Sequence, residues 1–359
     1  MKKKPQFLLI TNKSNIAYLS NFTGSSGFML IAPEKSYLFT DFRYIERAKN
    51  KIKPGIEIVD ITKLWKNPKS VKAHWHSLLK RLGVKELGVE EGSLTVERYK
   101  KFRRTPLIKG KNIRFKDISG LIEEKREIKS NIEIKLTEKS QSINEKVFLA
   151  IKKIIQDRAQ PWAEPITEIG IAWKIKELAQ KFGAEGVSFD PIVAFGKHTA
   201  LPHHEPDFTK LKKGDIVMID MGMKYKGYCS DMTRMIFTAM PTPKQKEIYN
   251  LVLKAQENAL SKIKAGISGK NADNLARKII EVAGYGEMYL HAGGHGIGLD
   301  IHESPSLSEN YKKPLKENSI ITVEPGIYLV GQFGVRIEDM AIVKKDGIKN
   351  LTKIQKKLF

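Results

Sequence analysis

Two aspartates, Asp220 and Asp231, lie next to apolar residues in the stretch GDIVMIDMGMKYKGYCSDMTRMIF (residues 214–237), and they restrict how this chain can fold. The alternation predicts a strand, a turn at KYKG and a returning strand. If the loop has four residues, Asp220 lies directly opposite Asp231, with Cβ atoms roughly 4.5–5.5 Å apart. Two carboxylates that close in apolar surroundings repel each other, which predicts a cation between them.

A second acidic pair lies in ITVEPGIYLVGQFGVRIEDMAIV (residues 321–343). Glu324 and Glu338 occur in β-branched strands that bracket a glycine-containing turn. Because Pro325 and Gly326 interrupt the first strand, the simple hairpin count does not bring the two glutamates opposite each other. We therefore expect Glu324 and Glu338 to lie close together, although counting residues along the two strands does not by itself predict it.

The stretch HAGGHGIGLDIHESP (residues 291–305) contains three of the chain's eight histidines and four glycines but no lysine. One imidazole from this stretch and the four carboxylates form a mixed nitrogen and oxygen set that suits a pair of Mn, Co, Fe or Zn ions. Two divalent ions roughly 3.5 to 4 Å apart form a clamp used for hydrolytic displacement. The candidate ligands are Asp220, Asp231, His295, Glu324 and Glu338.

Each candidate ligand also has a simpler interpretation. An isolated aspartate in a strand is usually a bulge or edge residue, and a lone histidine among glycines is usually a loop residue. The five residues together favour the metal site over these separate explanations. A nucleotide-binding loop is not favoured, because GGHGIG does not fit the pattern GxGxxG and no strong strand precedes it.

The organisation of the chain predicts two domains, since 359 residues exceed a single average domain. The first part alternates short apolar runs with helix-like stretches, which is an α/β pattern. Residues 123–145 are polar and predict a linker that runs into a long helix. Two further amphipathic helices are expected near residues 166–182 and 244–263.

The net charge of +23 raises the possibility of a nucleic-acid partner, and its excess falls mainly on the first 125 residues. Most of the basic residues are scattered lysines, however, whereas base-edge recognition prefers arginine. A lysine-rich surface is therefore favoured over nucleic-acid binding. The lone Cys229, the short apolar core of MKKKPQFLLIT and the lack of a membrane-spanning apolar run predict a cytoplasmic protein.

Four segments resemble the pita-bread metallopeptidases, and within them the proline-specific branch of Xaa-Pro aminopeptidase and prolidase: DMGMKYKGYCSDMTR, GGHGIGLDIHE, TVEPGIY and GVRIED. The front segments NIAYLSNFTGSSGFMLI and YLFTDFRYIERAKN resemble that family's smaller amino-terminal domain. The resemblance implies an α+β fold. Residues 1–125 would form a creatinase-like α/β domain that shapes substrate access and a homodimer contact, and residues 126–359 a catalytic domain with a curved antiparallel sheet.

The resemblance also implies a role for each candidate ligand. Asp220 would bind one metal, Asp231 and Glu338 would bridge both, and His295 and Glu324 would complete the second site. The cofactors would be two divalent metal ions. Mn is the expected metal, and Co, Fe and Zn are the alternatives. Glu324 would in addition transfer a proton toward the leaving proline nitrogen.

Three further residues match positions around the metals. His203, in LPHH, matches the substrate-side histidine, and its spacing to Asp220 favours it over His204. His302, seven residues after His295, matches the second histidine, and both imidazoles would hydrogen-bond the substrate carbonyl or its oxyanion. Arg336 would contact the substrate, or would lie next to Glu338 without binding the metal and help to hold that carboxylate ionised.

The resemblance implies a peptidase that releases an N-terminal residue ahead of proline, with proline-containing peptides as substrates and no membrane partner. Two departures from the family pattern bear on this. Gly196, Lys197 and His198 stand where many relatives have Gly-x-Asn, and Ser306 stands where some dipeptidases have an arginine. The latter favours an Xaa-Pro aminopeptidase over a strict Xaa-Pro dipeptidase, which is the alternative.

Three other classes of protein share part of this pattern. Methionine aminopeptidases share the ligands but lack a front domain of this kind. Creatinase-like enzymes share the layout without the metal cluster, and a non-enzymatic RNA- or protein-binding module on the same fold rests only on the basic front.

Overall fold

The structure is a computed structural model that describes residues 5–62, 68–103, 113–158 and 165–356. The chain separates into two compact units, Met1–Lys125 and Arg126–Phe359. Among the described helices, none is both long enough and apolar enough to cross a membrane.

The first unit is built on one mixed six-stranded sheet with the strand order β4-β3-β2-β1-β5-β6. The pairs β3–β4, β1–β5 and β5–β6 are parallel, and the pairs β1–β2 and β2–β3 are antiparallel. The strands are β1 (Phe7–Ile10), β2 (Phe28–Ile31), β3 (Ser36–Thr40), β4 (Ile56–Asp60), β5 (Glu86–Val89) and β6 (Arg114–Asp117). The helices are α1 (Lys13–Ser20), α2 (Ile45–Lys51), α3 (Pro68–Arg81), α4 (Val96–Arg103) and the one-turn α5 (Glu123–Arg126), which crosses the boundary between the units in sequence.

Both faces of this sheet are covered. Successive residues of β1 point to opposite faces, and Leu9 and Ile10 accordingly belong to two separate apolar clusters. The first cluster includes Trp75 of α3, and the second includes Ile16 of α1 and Ala48 of α2. The α/β organisation predicted for the front of the chain is therefore confirmed.

The strands of the second unit pair antiparallel and form sheets of the orders β11-β10-β7, β12-β9-β8, β14-β13-β15-β18-β19 and β16-β17. The strands are β7 (Gly186–Val187), β8 (Ile192–Phe195), β9 (Ile216–Met221), β10 (Met223–Tyr225), β11 (Tyr228–Cys229), β12 (Met232–Phe237), β13 (Gly294–Gly296), β14 (Glu303–Leu307), β15 (Ile320–Val323), β16 (Gly326–Leu329), β17 (Phe333–Arg336), β18 (Asp339–Lys344) and β19 (Gly347–Asn350). The helices are α6 (Asn131–Arg158), α7 (Glu168–Lys181), α8 (Pro243–Lys262) and α9 (Gly269–Val282), with 3-10 turns at Gly196–Ala200 and Gly286–Met288.

The helices of this unit agree with the sequence in part. The amphipathic helices expected near residues 166–182 and 244–263 are α7 and α8, whereas α9 was not predicted. The linker predicted for residues 123–145 is wrong for most of its length, because the long helix α6 begins at Asn131, within that polar segment. Thr242 caps α8 with a capping box, and Thr167 caps α7, so both helices begin where the sequence supplies a hydroxyl acceptor.

Strand β9 lies between two apolar clusters. Its residues Val217 and Ile219 pack in the cluster that contains α6 and α7, whereas Ile216 and Met218 pack in the cluster that contains α8 and α9. Because side chains alternate along a strand, Asp220 shares its face with Met218. Alternation therefore places this carboxylate on the side of the sheet where the cavity lies.

The opposite face of the neighbouring strand carries a buried arginine. Arg234 of β12 is buried, and its guanidinium donates to Oδ1 of Asp339 at 2.6 Å, to the carbonyl oxygen of Glu338 at 2.5 Å and to that of Ile354 at 2.9 Å. Lys356 also pairs with Asp339, at 2.9 Å. The carboxyl-terminal segment is thereby fastened to the start of β18.

Candidate metal centre

A cavity of about 500 Å³ lies in the second unit, and every side chain proposed for the site from sequence lines it. The eight residues are His203, Asp220, Asp231, His295, His302, Glu324, Arg336 and Glu338. They come from four separate stretches of the chain, which the antiparallel sheets bring to one place.

The two aspartates are held by the β9–β12 ladder, but in a different register from the predicted one. Asp220 pairs with Thr233, and Met221 pairs with Met232, so Asp220 and Asp231 are diagonal and not directly opposed. The predicted four-residue loop is wrong, because the turn between β10 and β11 has only two residues, Lys226 and Gly227, with φ of 47° and 83°. The shift of two positions keeps both carboxylates on the same face.

The two glutamates face each other, contrary to the hairpin count. Val323 pairs with Asp339 in one ladder and Gly326 pairs with Arg336 in the next, so both ladders share one register. Glu324 and Glu338 occupy facing positions between them. Pro325 interrupts the hydrogen bonding of the strand without shifting its register.

Histidine 295 enters the cavity from β13. Its Nε2 atom lies 3.6 Å from Oδ2 of Asp231 and 3.4 Å from Oε1 of Glu324. Its Nδ1 atom contacts the carbonyl oxygen of Gly296 at 3.0 Å, which fixes the ring and leaves Nε2 directed at the carboxylates. One ligand atom from each of Asp231, His295 and Glu338 lies within 4.8 Å of the others, a spacing that could hold a metal ion.

Arg336 forms its ion pair with Asp220, 2.6 Å away, and not with Glu338 as the sequence suggested. The guanidinium also donates to Oγ1 of Thr233 at 3.1 Å and to the hydroxyl of Tyr328 at 2.8 Å. Thr233 in turn donates to Oε2 of Glu338 at 2.8 Å. Arg336 therefore reaches Glu338 through a threonine and holds Asp220 directly.

The electrostatics of the cluster are those of crowded, buried carboxylates. Burial and the charges of Glu338 and Asp220 raise the pKa of Asp231 well above its usual range. Burial together with Glu324 and Asp220 does the same for the pKa of Glu338. Burial raises the pKa of Glu324 to about 7, and burial lowers the pKa of His295, which keeps its imidazole neutral and able to act as a ligand.

The unpartnered atoms of the cluster fit a metal centre. Oδ1 of Asp220, Oδ1 of Asp231 and Oε1 of Glu338 are buried and have no hydrogen-bond partner among the residues that the structure describes. Buried polar atoms are normally paired, and each unpaired one costs about 1–3 kcal/mol. Three such oxygens beside a neutral imidazole are a donor set for divalent cations.

His203 and His302 lie at the exposed edge of the cavity. The His302 ring meets the ring of His295 edge to face, with centroids 4.3 Å apart. Neither ring shares a hydrogen bond with the carboxylates among the contacts of the described residues. Both imidazoles are therefore placed to meet a molecule in the cavity.

Sequence reasoning missed several supporting residues. His291 lines the cavity, and its Nε2 atom contacts the hydroxyl of Tyr328 at 2.9 Å. Thr322 donates from Oγ1 to Oε1 of Glu324 at 3.1 Å and accepts from the backbone of His295. Its position two residues before Glu324 on one strand was the available signal, since such residues share a face.

Comparison with known families finds two matches in this chain. Metallopeptidase family M24 matches residues 135–345, and the Creatinase/Prolidase N-terminal domain matches residues 2–128. The α+β fold expected from the sequence, with a creatinase-like front domain before a pita-bread domain, is confirmed.

Individual proteins align over almost the whole chain. The Xaa-Pro dipeptidase of Pyrococcus horikoshii is 37% identical over 354 residues, covering 98% of this chain and 94% of the relative. The solved structure of an Xaa-Pro dipeptidase from Bacillus anthracis is 38% identical, with a TM-score of 0.90 over 99% of this chain and 94% of that one. The structure of an X-Pro aminopeptidase from Thermotoga maritima is 34% identical, with a TM-score of 0.87 over 98% and 97%.

Proposed function

Because the chain belongs to metallopeptidase family M24, we propose that it hydrolyses the peptide bond between an N-terminal residue and a following proline. The observation that carries this proposal is the set of buried, unpartnered carboxylate oxygens on Asp220, Asp231 and Glu338 beside the imidazole of His295. Such a set suits a hydrolytic metal centre and has no evident structural use.

The residues that would hold the metal ions are Asp220, Asp231, His295, Glu324 and Glu338. We propose that the site takes two divalent ions, with Mn as the first choice, and that Asp231 and Glu338 would help to hold both. When bound, the ions supply a nucleophilic water at neutral pH and polarise the substrate carbonyl. The ion pair between Arg336 and Asp220 and the hydrogen bond from Thr233 to Glu338 hold two of these carboxylates in place.

Glu324 is proposed to move the proton. Thr322 holds its Oε1 atom at 3.1 Å, which leaves Oε2 to accept a proton from the attacking water. The same oxygen then delivers that proton to the proline nitrogen as the peptide bond breaks. A positioned carboxylate of this kind typically contributes about 10²- to 10⁴-fold to the rate.

His203 and His302 are proposed to donate hydrogen bonds to the carbonyl oxygen of the scissile bond. Both are exposed at the edge of the cavity and so remain accessible to substrate. Their bonds would strengthen as negative charge develops on that oxygen, which lowers the barrier selectively.

We propose an aminopeptidase that accepts longer peptides in preference to a strict dipeptidase. A dipeptide ending in proline has a free carboxylate, and a site that binds it needs a cationic side chain. The described lining of the cavity contains one arginine, Arg336, and its guanidinium is already paired with Asp220. Ser306 lines the cavity and carries no charge. A peptide that continues beyond proline places no carboxylate there.

The unit boundary at residues 125 and 126 is proposed as the domain boundary. We also propose a homodimer, with the front domain in the contact, and a cytoplasmic location, which the free and buried Cys229 supports because a single thiol suits a reducing compartment. Sedimentation analysis and cell fractionation test these two points.

The function is tested with purified protein supplied with Mn. Cleavage of Arg-Pro-Pro and inactivity toward Met-Ala-Ser are expected, with Gly-Pro cleaved more slowly than the tripeptide. If neither Arg-Pro-Pro nor Gly-Pro is cleaved, the proposal is wrong. Salt-dependent nucleic-acid binding by a metal-free protein would instead favour the non-enzymatic alternative.

A further inference from the structure

A second group of metal-ligating side chains lies beside the cavity and takes no part in the centre described above. One ligand atom from each of Glu168, His198, His204 and Asp207 lies within 4.8 Å of the others. Glu168 begins α7, His198 belongs to the 3-10 turn after β8, and the other two follow in the loop that also carries His203.

Two imidazoles converge on the carboxylate of Glu168. The Nδ1 atom of His198 lies 2.9 Å from Oε1, and the Nε2 atom of His204 lies 2.7 Å from Oε2. The ring centroids of the two histidines are 4.4 Å apart with an interplanar angle of 38°. Ring nitrogens from two parts of the chain therefore face one point.

The charge of this group is not balanced by a permanent cation. Glu168 is completely buried, and among the described residues neither a lysine nor an arginine pairs with it. Two backbone N–H groups support it, those of Phe195 at 2.7 Å and Asp207 at 3.3 Å. A buried carboxylate without a fixed counter-charge is costly.

Asp207 adds a second negative charge. Hydrogen bonds from Thr209 lower the pKa of Asp207 to about 2, so this carboxylate is ionised at neutral pH. It is exposed to solvent, unlike Glu168, and so offers a route by which an ion can reach the group. Two carboxylates and two imidazoles in contact are the composition of a metal site and an unusual one for a simple surface loop.

We propose that Glu168, His198, His204 and Asp207 bind one zinc ion, separate from the ions of the peptidase centre. Four nitrogen and oxygen ligands match the tetrahedral coordination that zinc prefers, with bonds of about 2.0–2.2 Å. Without an ion, the ring nitrogens that face Glu168 carry the protons that its carboxylate accepts. On binding, each proton moves to the other ring nitrogen of its imidazole, and Nδ1 of His198 and Nε2 of His204 then give their lone pairs to the ion.

The position of this site suggests its effect. His198 precedes His203 in the chain and His204 and Asp207 follow it, while Glu168 connects these residues to the start of α7. An ion held here would fix the backbone on both sides of His203. The loop should accordingly become more protected when zinc binds.

The test measures zinc content after chelation and dialysis against a limiting zinc buffer. The chain with Asp231→Asn, which disrupts the proposed peptidase centre, serves as the common background. We expect this background protein to hold one zinc ion more than the same protein carrying His198→Gln or His204→Gln. His74→Gln, which changes an exposed histidine of α3, is the matched control and should keep the zinc content of the background.

Two further readouts keep the test decisive. Zinc should slow amide hydrogen exchange in residues 196–209 of the background protein and leave that exchange unchanged in the His198→Gln variant. If His204→Gln fails to fold, His198→Gln carries the test, because that side chain is partly exposed. Equal zinc content in the background and the His198→Gln protein would overturn the proposal, and would do so whether or not the wild-type chain cleaves proline peptides.

Discussion

The guanidinium of Arg336 donates from Nη2 to Oδ2 of Asp220 at 2.6 Å, and both side chains are buried. This ion pair uses one carboxylate oxygen, and the other, Oδ1, has no hydrogen-bond partner in the described part of the chain. The carboxylate is therefore held in one orientation before any cation arrives, which is the pre-organisation that a metal ligand requires.

Removing this arginine should destabilise the protein. Arg336→Met leaves Asp220 buried and unpaired, and breaking a buried pair in this way costs about 3–5 kcal/mol. Urea unfolding in the presence of a chelator measures the loss. Lys35→Met, which breaks an exposed pair with Glu57, is the control and should leave the unfolding midpoint nearly unchanged. Equal midpoints for the two variants would contradict the role given to Arg336.

Replacing a shared carboxylate should abolish activity without unfolding the chain. Asp231→Ala or Asp231→Asn is expected to lower bound metal and to reduce kcat/KM for Arg-Pro-Pro by more than about 100-fold, since outer-shell partners alone are typically worth 10- to 100-fold. Circular dichroism should remain close to wild type. Asp346→Asn, in the exposed turn after β18, should retain full activity and metal. Normal metal content in the Asp231 variants would refute the ligand assignment.

Metal removal should lower the melting temperature. The ions bind the folded chain, and a ligand at 100 times its Kd stabilises by about 2.7 kcal/mol. Calorimetry with Mn and then with a chelator measures this difference. The gain from Mn should shrink in the Asp231→Asn protein, because fewer ligands remain. A melting temperature that does not respond to Mn in the wild-type chain would argue against a metal centre.

Glu324 should make the stability of the metal-free protein depend on pH. Burial raises its folded-state pKa to about 7, above the value near 4.3 of an unfolded glutamate, so the folded chain binds this proton more tightly. That contribution is fully present below about pH 4.3 and is lost as pH rises through 7. Glu324→Gln mimics the protonated acid, and its stability advantage in urea should grow over that window. An advantage that is constant with pH would show that Glu324 does not hold a proton in the folded state.

A charge at Ser306 should change the preferred peptide length. Ser306→Arg places a cation on the cavity lining, and a hydrogen bond to a charged group is worth about 1.5–3 kcal/mol, or roughly 10- to 100-fold in affinity. The ratio of kcat/KM for Gly-Pro over Arg-Pro-Pro should rise accordingly. Ser308→Arg, two residues further along the chain, is the control. An unchanged ratio in Ser306→Arg would remove the argument for length selection.

The identity of the site residues could be expected from sequence, whereas their pairing could not. Burying a carboxylate among apolar strand residues costs so much free energy that a cation is expected beside it, and this holds for any pairing of the two strands. The register itself depended on the turn. Lys226 adopts a left-handed conformation that lysine rarely takes, so a two-residue turn at Lys226 and Gly227 was not the expected choice.

Other features depended on tertiary packing. Glu324 and Glu338 face each other because the ladder of β15 and β18 and that of β16 and β17 keep a common register across Pro325. The contact of Glu168 with His198 and His204 joins residues at least 30 positions apart, and local patterns carry no signal for it.

Arg234 joins residues 354–356 to the backbone of a proposed metal ligand. Its guanidinium donates to the carbonyl oxygen of Ile354 and to that of Glu338, while Asp339 pairs with both Arg234 and Lys356. Arg234→Met would therefore release both the segment around Ile354 and the peptide group of Glu338, so a side chain outside the cavity lining helps to position a ligand inside it.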